Sequence, residues 1–256
     1  MDHIKLSAII ITLNEDKSIQ ECIDSLKDVV DEILVVDSFS TDKTEEICRK
    51  NGVRFLQNPW EDHGQQKNWA NKQATYDHIL SLDADERLSE GLKEAILEIK
   101  KNWKYDVYSF NRLTCFHGRK MKYGFYPDRQ LRLFDRRKTK WKENKVHEKI
   151  ITGKGIKLKR ISKDIIHFPN QNVHEQINSL NNNSTLFARD RIYFGGKPSI
   201  LKLIFSPIFS FIKSYFFKLG FLDGIFGFFV CVNMAHYTFL KYAKWIELYK
   251  IKKKNE

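Results

Sequence analysis

The sequence predicts an α/β protein with a mostly parallel mixed sheet flanked by helices, followed by a C-terminal amphipathic helical appendage. Three observations carry this expectation. Continuous apolar runs stand at residues 8–11, 33–36 and 79–82; Ile19, Cys22, Ile23 and Leu26 repeat at helical spacing between the first two; and the composition changes after residue 195. Short apolar runs alternating with amphipathic helices are the pattern of buried parallel strands joined by crossovers.

Taken in order, the first strand runs straight into Thr12-Leu13-Asn14-Glu15 and is too short for an export signal, so the protein is expected on the cytoplasmic side. A second helix is expected from Thr41-Asp42, with Asp42 and Glu45 in capping-box spacing, to a glycine stop at Asn51-Gly52. Residues 53–56 make the third strand, 63–74 a third helix, and a fourth helix starts near Ser89 with Leu92, Ala95, Ile96 and Ile99 on one face. From Tyr105 the pattern turns antiparallel, at 107–110 and 130–134, and a strand at 164–168 stops at Pro169 before an Asn-rich helix over 173–191.

The expected division is a catalytic domain over 1–195 and a basic, aromatic-rich helical region over 196–256. From Lys197 onward ten Lys or Arg face three acids. The longest uncharged run there, 224–240, is 17 residues, whereas a membrane span takes about 20 apolar residues. Helices lying in a bilayer interface are therefore expected, with lysines toward anionic headgroups; packing on the catalytic domain or a dimer seam is the alternative.

A hydrophobic fraction of 42% with 30% charged residues excludes disorder and a polytopic membrane protein. The net charge of +12 implies an anionic partner: nucleic acid, lipid headgroups or a phosphorylated substrate. No recognition helix or aromatic-basic sheet motif accompanies it, so nucleic acid is not expected. Cys22, Cys48, Cys115 and Cys231 lack metal or redox spacing and read as reduced, buried residues.

Leu82-Asp83-Ala84-Asp85-Glu86 is the most informative segment, because an apolar strand ends in two carboxylates one residue apart. Ligands of open α/β sheets bind at the carboxyl ends of strands, and paired carboxylates suit a Mg²⁺ or Mn²⁺ bridging a diphosphate. Thr12 to Glu15 and Asp37 to Asp42 end the first two strands at the same edge. Asp37 is placed to accept hydrogen bonds from a base or ribose, or else it is a turn cap.

The ordered set Ile11 to Glu15, Val36 to Thr44, Gln66-Lys67-Asn68-Trp69-Ala70, Ser81 to Glu86 and Val146-His147-Glu148 resembles the inverting family 2 glycosyltransferases of the Rossmann-like GT-A fold, in their lipopolysaccharide-core glucosyltransferase branch. The resemblance implies that Thr12, Leu13, Asn14, Glu15 and Asp37 line the nucleoside pocket and that Lys67 approaches the donor phosphates. It places Asp83 and Ala84 against the donor and Asp85 on the metal. Glu148 is the candidate base that deprotonates the acceptor hydroxyl, with Asp128 its rival and an ion pair with Lys145 or Lys149 the bland alternative. His167 either completes the metal sphere or is a satisfied core histidine, and His147 is a second contender. Arg129 and Arg132, read as sharing one strand face, are candidates for an anionic group.

The expected reaction is transfer of a hexose, with UDP-glucose the leading donor, to a lipid-linked glycan such as the lipopolysaccharide inner core. It would occur peripherally on the cytoplasmic face of the inner membrane. A polyprenyl-phosphate acceptor, a non-catalytic membrane adaptor and a nucleic-acid-binding protein are the competing readings. The oligomeric state is not legible.

Overall fold

A computed structural model describes residues 3–142, 150–153, 155–169 and 172–255. The chain divides into two compact units, one of residues 1–113 and 128–167, the other of residues 114–127 and 168–256. The helix expected over 173–191 belongs to the second unit, although the sequence reading assigned it to the first domain.

The sheet unit contains β1 (Leu6–Thr12), α1 (Ile19–Leu26), β2 (Glu32–Asp37), α2 (Thr44–Lys50), β3 (Arg54–Gln57), α3 (His63–Gln73), β4 (His78–Asp83), β5 (Glu86–Leu88) and α4 (Glu90–Lys101). Then come β6 (Val107–Phe116), whose last residues enter the second unit with β7 (Arg119–Lys120), β8 (Asp128–Asp135), β9 (Thr139–Trp141), β10 (Ile150–Thr152) and β11 (Leu158–His167). The sheet order is β3-β2-β1-β4-β8-β6-β11-β5, with β9 and β10 forming a separate pair. Strands β3, β2, β1 and β4 are parallel, and β8 joins β4 antiparallel, so the sheet is mixed as expected.

All seven residues of β1 are buried, as a central strand covered on both faces requires. Alternation then sorts its side chains: Leu6, Ala8 and Ile10 join Ile19, Cys22, Ile23 and Leu26 on one face, while Ile9 meets Leu34, Val36 and Phe134 on the other. At about 25 cal/mol per Å² of apolar surface, this double burial is the main term holding the four parallel strand ends in place. Helix α2 departs from its expected start. Asp42 makes no capping box; its carboxylate accepts from the Thr44 and Asp16 backbone N–H groups, at 3.0 Å each, and the helix begins at Thr44.

The helical unit contains α5 (Val173–Tyr193), α6 (Ile200–Ile212), a π-helical turn over Lys213–Phe217, a 3₁₀ turn over Gly220–Asp223 and the 32-residue α7 (Gly224–Asn255). Helix α5 lies along α7, where Gln176 accepts from Asn233 Nδ2 at 2.9 Å and Lys244 donates to Asn181 and Ser184. Residues Ile200–Phe217 make one helix long and apolar enough, by length and composition, to cross a membrane. It lies outside the 224–240 run that the sequence reading weighed.

Candidate active site

Parallel register fixes the site. Thr12 pairs with Asp37 across β1 and β2, Ile11 pairs with Asp83 across β1 and β4, and Asp37 pairs with Gln57 of β3. The acids foreseen at separate strand ends therefore stand side by side on one edge of the sheet.

The β1 and β2 tips are tied to each other. Asn14, in the left-handed region at φ 55°, which asparagine tolerates better than most residues, donates its N–H to Ser40 Oγ and accepts the Thr41 N–H on Oδ1, both at 2.8 Å. Glu15 N–H donates to Thr44 Oγ1 at 2.9 Å. Asp37 is fully buried and accepts from the Ser40 N–H at 2.8 Å, from the Ser40 hydroxyl, and from Gln57 Nε2 at 3.3 Å. Leu13 turns outward and is 47% exposed. The Thr12 hydroxyl is buried with no hydrogen-bond partner among the described residues.

Helix α3 is polar, yet it buries Gln66, Lys67 and Asn71. Four residues of its Gln-Lys-Asn-Trp-Ala segment have an assignment. Gln66 Nε2 donates to Ser38 Oγ at 3.0 Å on the β2 tip, Asn68 exchanges two 2.9 Å hydrogen bonds with the Trp141 backbone, and Ala70 enters the core. Lys67 is fully buried, with its ammonium 2.8 Å from Asp83 Oδ1 and 4.8 Å from the centre of the Trp141 ring. The sequence reading set Lys67 near the donor phosphates; here its ammonium is paired with Asp83. A buried ammonium needs a compensating anion, and Asp83 supplies it.

Arg132 extends this pair into a four-membered network. Its Nη2 lies 2.7 Å from Asp83 Oδ2 and 2.6 Å from Glu86 Oε1, and Glu86 Oε2 accepts the Asp83 N–H at 3.1 Å. Lys67, Glu86 and Arg132 are nearly inaccessible, while the Asp83 side chain keeps 27% exposure. Asp83 is thus the face that the network offers to a ligand. Burial pushes the Asp83 carboxyl up, but the Arg132 and Lys67 charges outweigh it and hold the group well below its ordinary range. Burial, offset in part by Arg132, raises Glu86. Arg129 is exposed while Arg132 is internal, and the β6–β8 pairing slips by one residue between Leu133 and Leu131, so simple alternation does not relate the two side chains. Ala84 packs its methyl group into the core, so only its backbone is available to a donor.

Asp85 lies beside this network, with His167 Nε2 3.3 Å from its Oδ2. The Glu15 carboxyl is raised to about 7, first by burial and then by the negative charge of Asp85. Asp128 is held by Arg112, Nη2 to Oδ2 at 2.7 Å, and by Gln130 Nε2 at 2.9 Å. Glu148 and His147 lie outside the described residues. Trp141, six residues before His147, is fixed by Asn68 and covers Lys67.

Sequence reasoning singled out neither Glu86 nor Trp141, and it did not foresee that Arg132 is internal. A usable signal for Arg132 was a cation set inside the short apolar stretch Leu131 to Phe134, where only an internal anion would make it tolerable.

A mixed sheet that gathers acids at the carboxyl ends of its parallel strands, with a carboxylate–histidine pair beside them, defines a GT-A glycosyltransferase domain. The family model for Glycosyl transferase family 2 matches residues 7–164. The chain belongs to glycosyltransferase family 2 and is a glycosyltransferase. It is 33% identical to the lipopolysaccharide core biosynthesis glycosyltransferase LpsC of Rhizobium meliloti, over 97% of this chain and 94% of that protein. An uncharacterized glycosyltransferase of Rickettsia typhi is 29% identical, over 95% and 87%. Among solved structures, S. aureus TarS 1-349 aligns with a TM-score of 0.46 and 16% identity, covering 99% of this chain and 92% of that one.

Proposed function

We propose that this enzyme transfers a hexose, glucose from UDP-glucose, to a lipid-linked glycan such as the lipopolysaccharide inner core, by single displacement at the cytoplasmic face of the inner membrane. The observation that carries the donor part is the Asp83 carboxylate, held ionised by Lys67 and Arg132 at the sheet edge with Asp85 and His167 beside it. The name of the LpsC relative supports the acceptor class.

In this reading Asp83 presents a rigid acceptor edge to the ribose, and the buried Thr12 hydroxyl offers an unfilled hydrogen-bonding position on the neighbouring strand. Asp85 and His167 suit a divalent ion as two donors close together, with a substrate diphosphate and water completing the sphere. Such an ion, Mg²⁺ or Mn²⁺, would neutralise charge on the departing diphosphate. Asp83 and Asp85 are held apart in role by their partners, since two buried cations already balance Asp83 and leave Asp85 for a metal. The acceptor oxygen bonds to the anomeric carbon as the sugar–diphosphate bond breaks, and Glu148 takes the hydroxyl proton.

A hydrolysis screen of UDP- and GDP-sugars with and without Mn²⁺ tests the donor assignment. Turnover with UDP-glucose only in the presence of metal supports it; equal turnover without metal refutes it. Glu148→Gln is expected to lower transfer to a hydroxyl acceptor by about 10²–10⁴-fold, the usual contribution of a positioned base. Undiminished transfer by this variant would favour a phosphate acceptor, which needs no base.

A further inference from the structure

The helical unit is packed in the reverse sense to a water-facing layer. Along α6, Ile200, Leu201, Ile204, Phe205, Ile208 and Phe209 are each between 51% and 67% exposed. Their spacing repeats at one and four residues, so they form one continuous face three turns long. On α7, Ile225, Phe228, Val232 and Phe239 continue an exposed apolar stripe. In Ile200–Phe217 the single buried residue is Ser214.

Small groups occupy the seam between the two helices. Ser214 donates its hydroxyl to the Ser210 carbonyl at 2.8 Å, and Gly227 and Cys231 are buried. A methyl group on Gly220 would come within 2.7 Å of the Ser214 carbonyl and 2.8 Å of Cys231 Sγ, and one on Gly227 would collide with the Gly220 carbonyl. Small residues between helices and large apolar ones outside are how helices pack when hydrocarbon is their solvent. In water each exposed Leu, Ile or Phe forgoes about 1.5–3 kcal/mol of burial, so an aqueous fold of this sequence would turn them inward.

Charge identifies what covers the face. Residues 197–222 contain four lysines, Lys197, Lys202, Lys213 and Lys218, and no acid. All four are exposed, and Lys202 and Lys213, eleven residues or three turns apart, lie along the same edge of the apolar face. An apolar face edged by cations matches a leaflet whose acyl region lies below anionic phosphates.

We propose that α6 and the first turns of α7 embed together in one leaflet of an anionic bilayer, with Phe205 and Phe209 among acyl chains and Lys202 and Lys213 at the phosphates. This rests on the membrane-surface part of the proposed function and assigns it a structural element. Flotation of the full chain with phosphatidylcholine vesicles, with and without phosphatidylglycerol, tests it. Phe205→Ser/Phe209→Ser is expected to lose binding by roughly tenfold or more, and Lys202→Gln/Lys213→Gln to lose only the gain that phosphatidylglycerol gives. Donor hydrolysis in vesicle-free buffer should be unchanged in both variants, so failure of this inference and failure of the donor assignment are separately visible.

Because the four native thiols are buried, Phe205→Cys can carry a polarity-sensitive fluorophore. Its emission should shift to the blue on adding vesicles and be quenched more by lipids brominated near the headgroup than by lipids brominated at the chain ends. Unaltered flotation of the Phe205→Ser/Phe209→Ser variant would overturn the proposal. So would a fluorophore already shielded in a vesicle-free dimer, which would make a second copy the cover, or strongest quenching at the bilayer centre, which would make the helix a span.

Discussion

In the sheet unit Lys67, Glu86 and Arg132 are inside, whereas in the helical unit Ile200, Leu201, Phe205 and Phe217 are more than 60% exposed. Each unit breaks the ordinary partition of polar and apolar residues, in opposite directions. The sheet unit bears the cost of dehydrating charges because together they hold one carboxylate, Asp83, ionised and fixed at the sheet edge. The helical unit leaves apolar surface uncovered, which is sustainable only where something apolar meets it. One departure builds the candidate site, and the other marks the surface for which attachment is proposed.

The comparison breaks most severely at Asp85. Asp85→Asn keeps the shape but removes the anionic ligand, and it should reduce metal-dependent turnover by about 10²–10³-fold, comparable with loss of one electrostatic contact in a transition state. Urea denaturation should show little change, because Asp85 lies outside the Lys67–Asp83–Arg132–Glu86 set. Arg132 behaves oppositely. Arg132→Met leaves Asp83 with Lys67 and Glu86 with only the more distant Arg112, 3.7 Å away, and a loss of about 3–5 kcal/mol in unfolding free energy is expected, with Arg132→Lys recovering part of it. Unchanged stability in Arg132→Met would show that the network is not a structural unit.

Gly227→Ala probes the other region. The added methyl group meets the Gly220 carbonyl, so a cost of about 1–3 kcal/mol is expected from overpacking the seam, read as a lower unfolding midpoint in denaturant. A neutral result would mean that α6 and α7 are not closely seated.

The smallest effect concerns Glu15. Its carboxyl is raised from 4.5 to about 7, so the protonated form favours the folded state. That contribution is complete below about pH 4.5 and is lost as pH rises through 7. The stability difference between wild type and Glu15→Gln, measured without metal, should therefore move against the wild type over this window. A flat difference would place Glu15 outside the influence of Asp85.

Much of the sheet was legible because burial on both faces leaves an uninterrupted apolar run, as in β1, and because strand ends carry their acids with them. The positions of Asp37 and Asp83 along one edge follow from parallel register, and Asp85 comes two residues after Asp83. Arg132 was not legible, since its partners lie nearly fifty residues away and meet it only through the antiparallel pairing of β8 with β4. The three-residue β5 was hidden inside the acidic segment, where Glu86 reads as one more solvated acid until Arg132 is placed against it. The packing of α6 escaped the sequence reading for another reason: an apolar stripe has the same period whether it faces a core or a lipid.

Titration calorimetry of UDP-glucose into the wild type and Asp85→Asn, each with and without Mn²⁺, tests the central claim most directly. Heat of binding is expected from the wild type with Mn²⁺ and a large loss of it in the other three combinations. Equal heat from Asp85→Asn, or from the wild type without metal, would contradict a donor site built on that carboxylate.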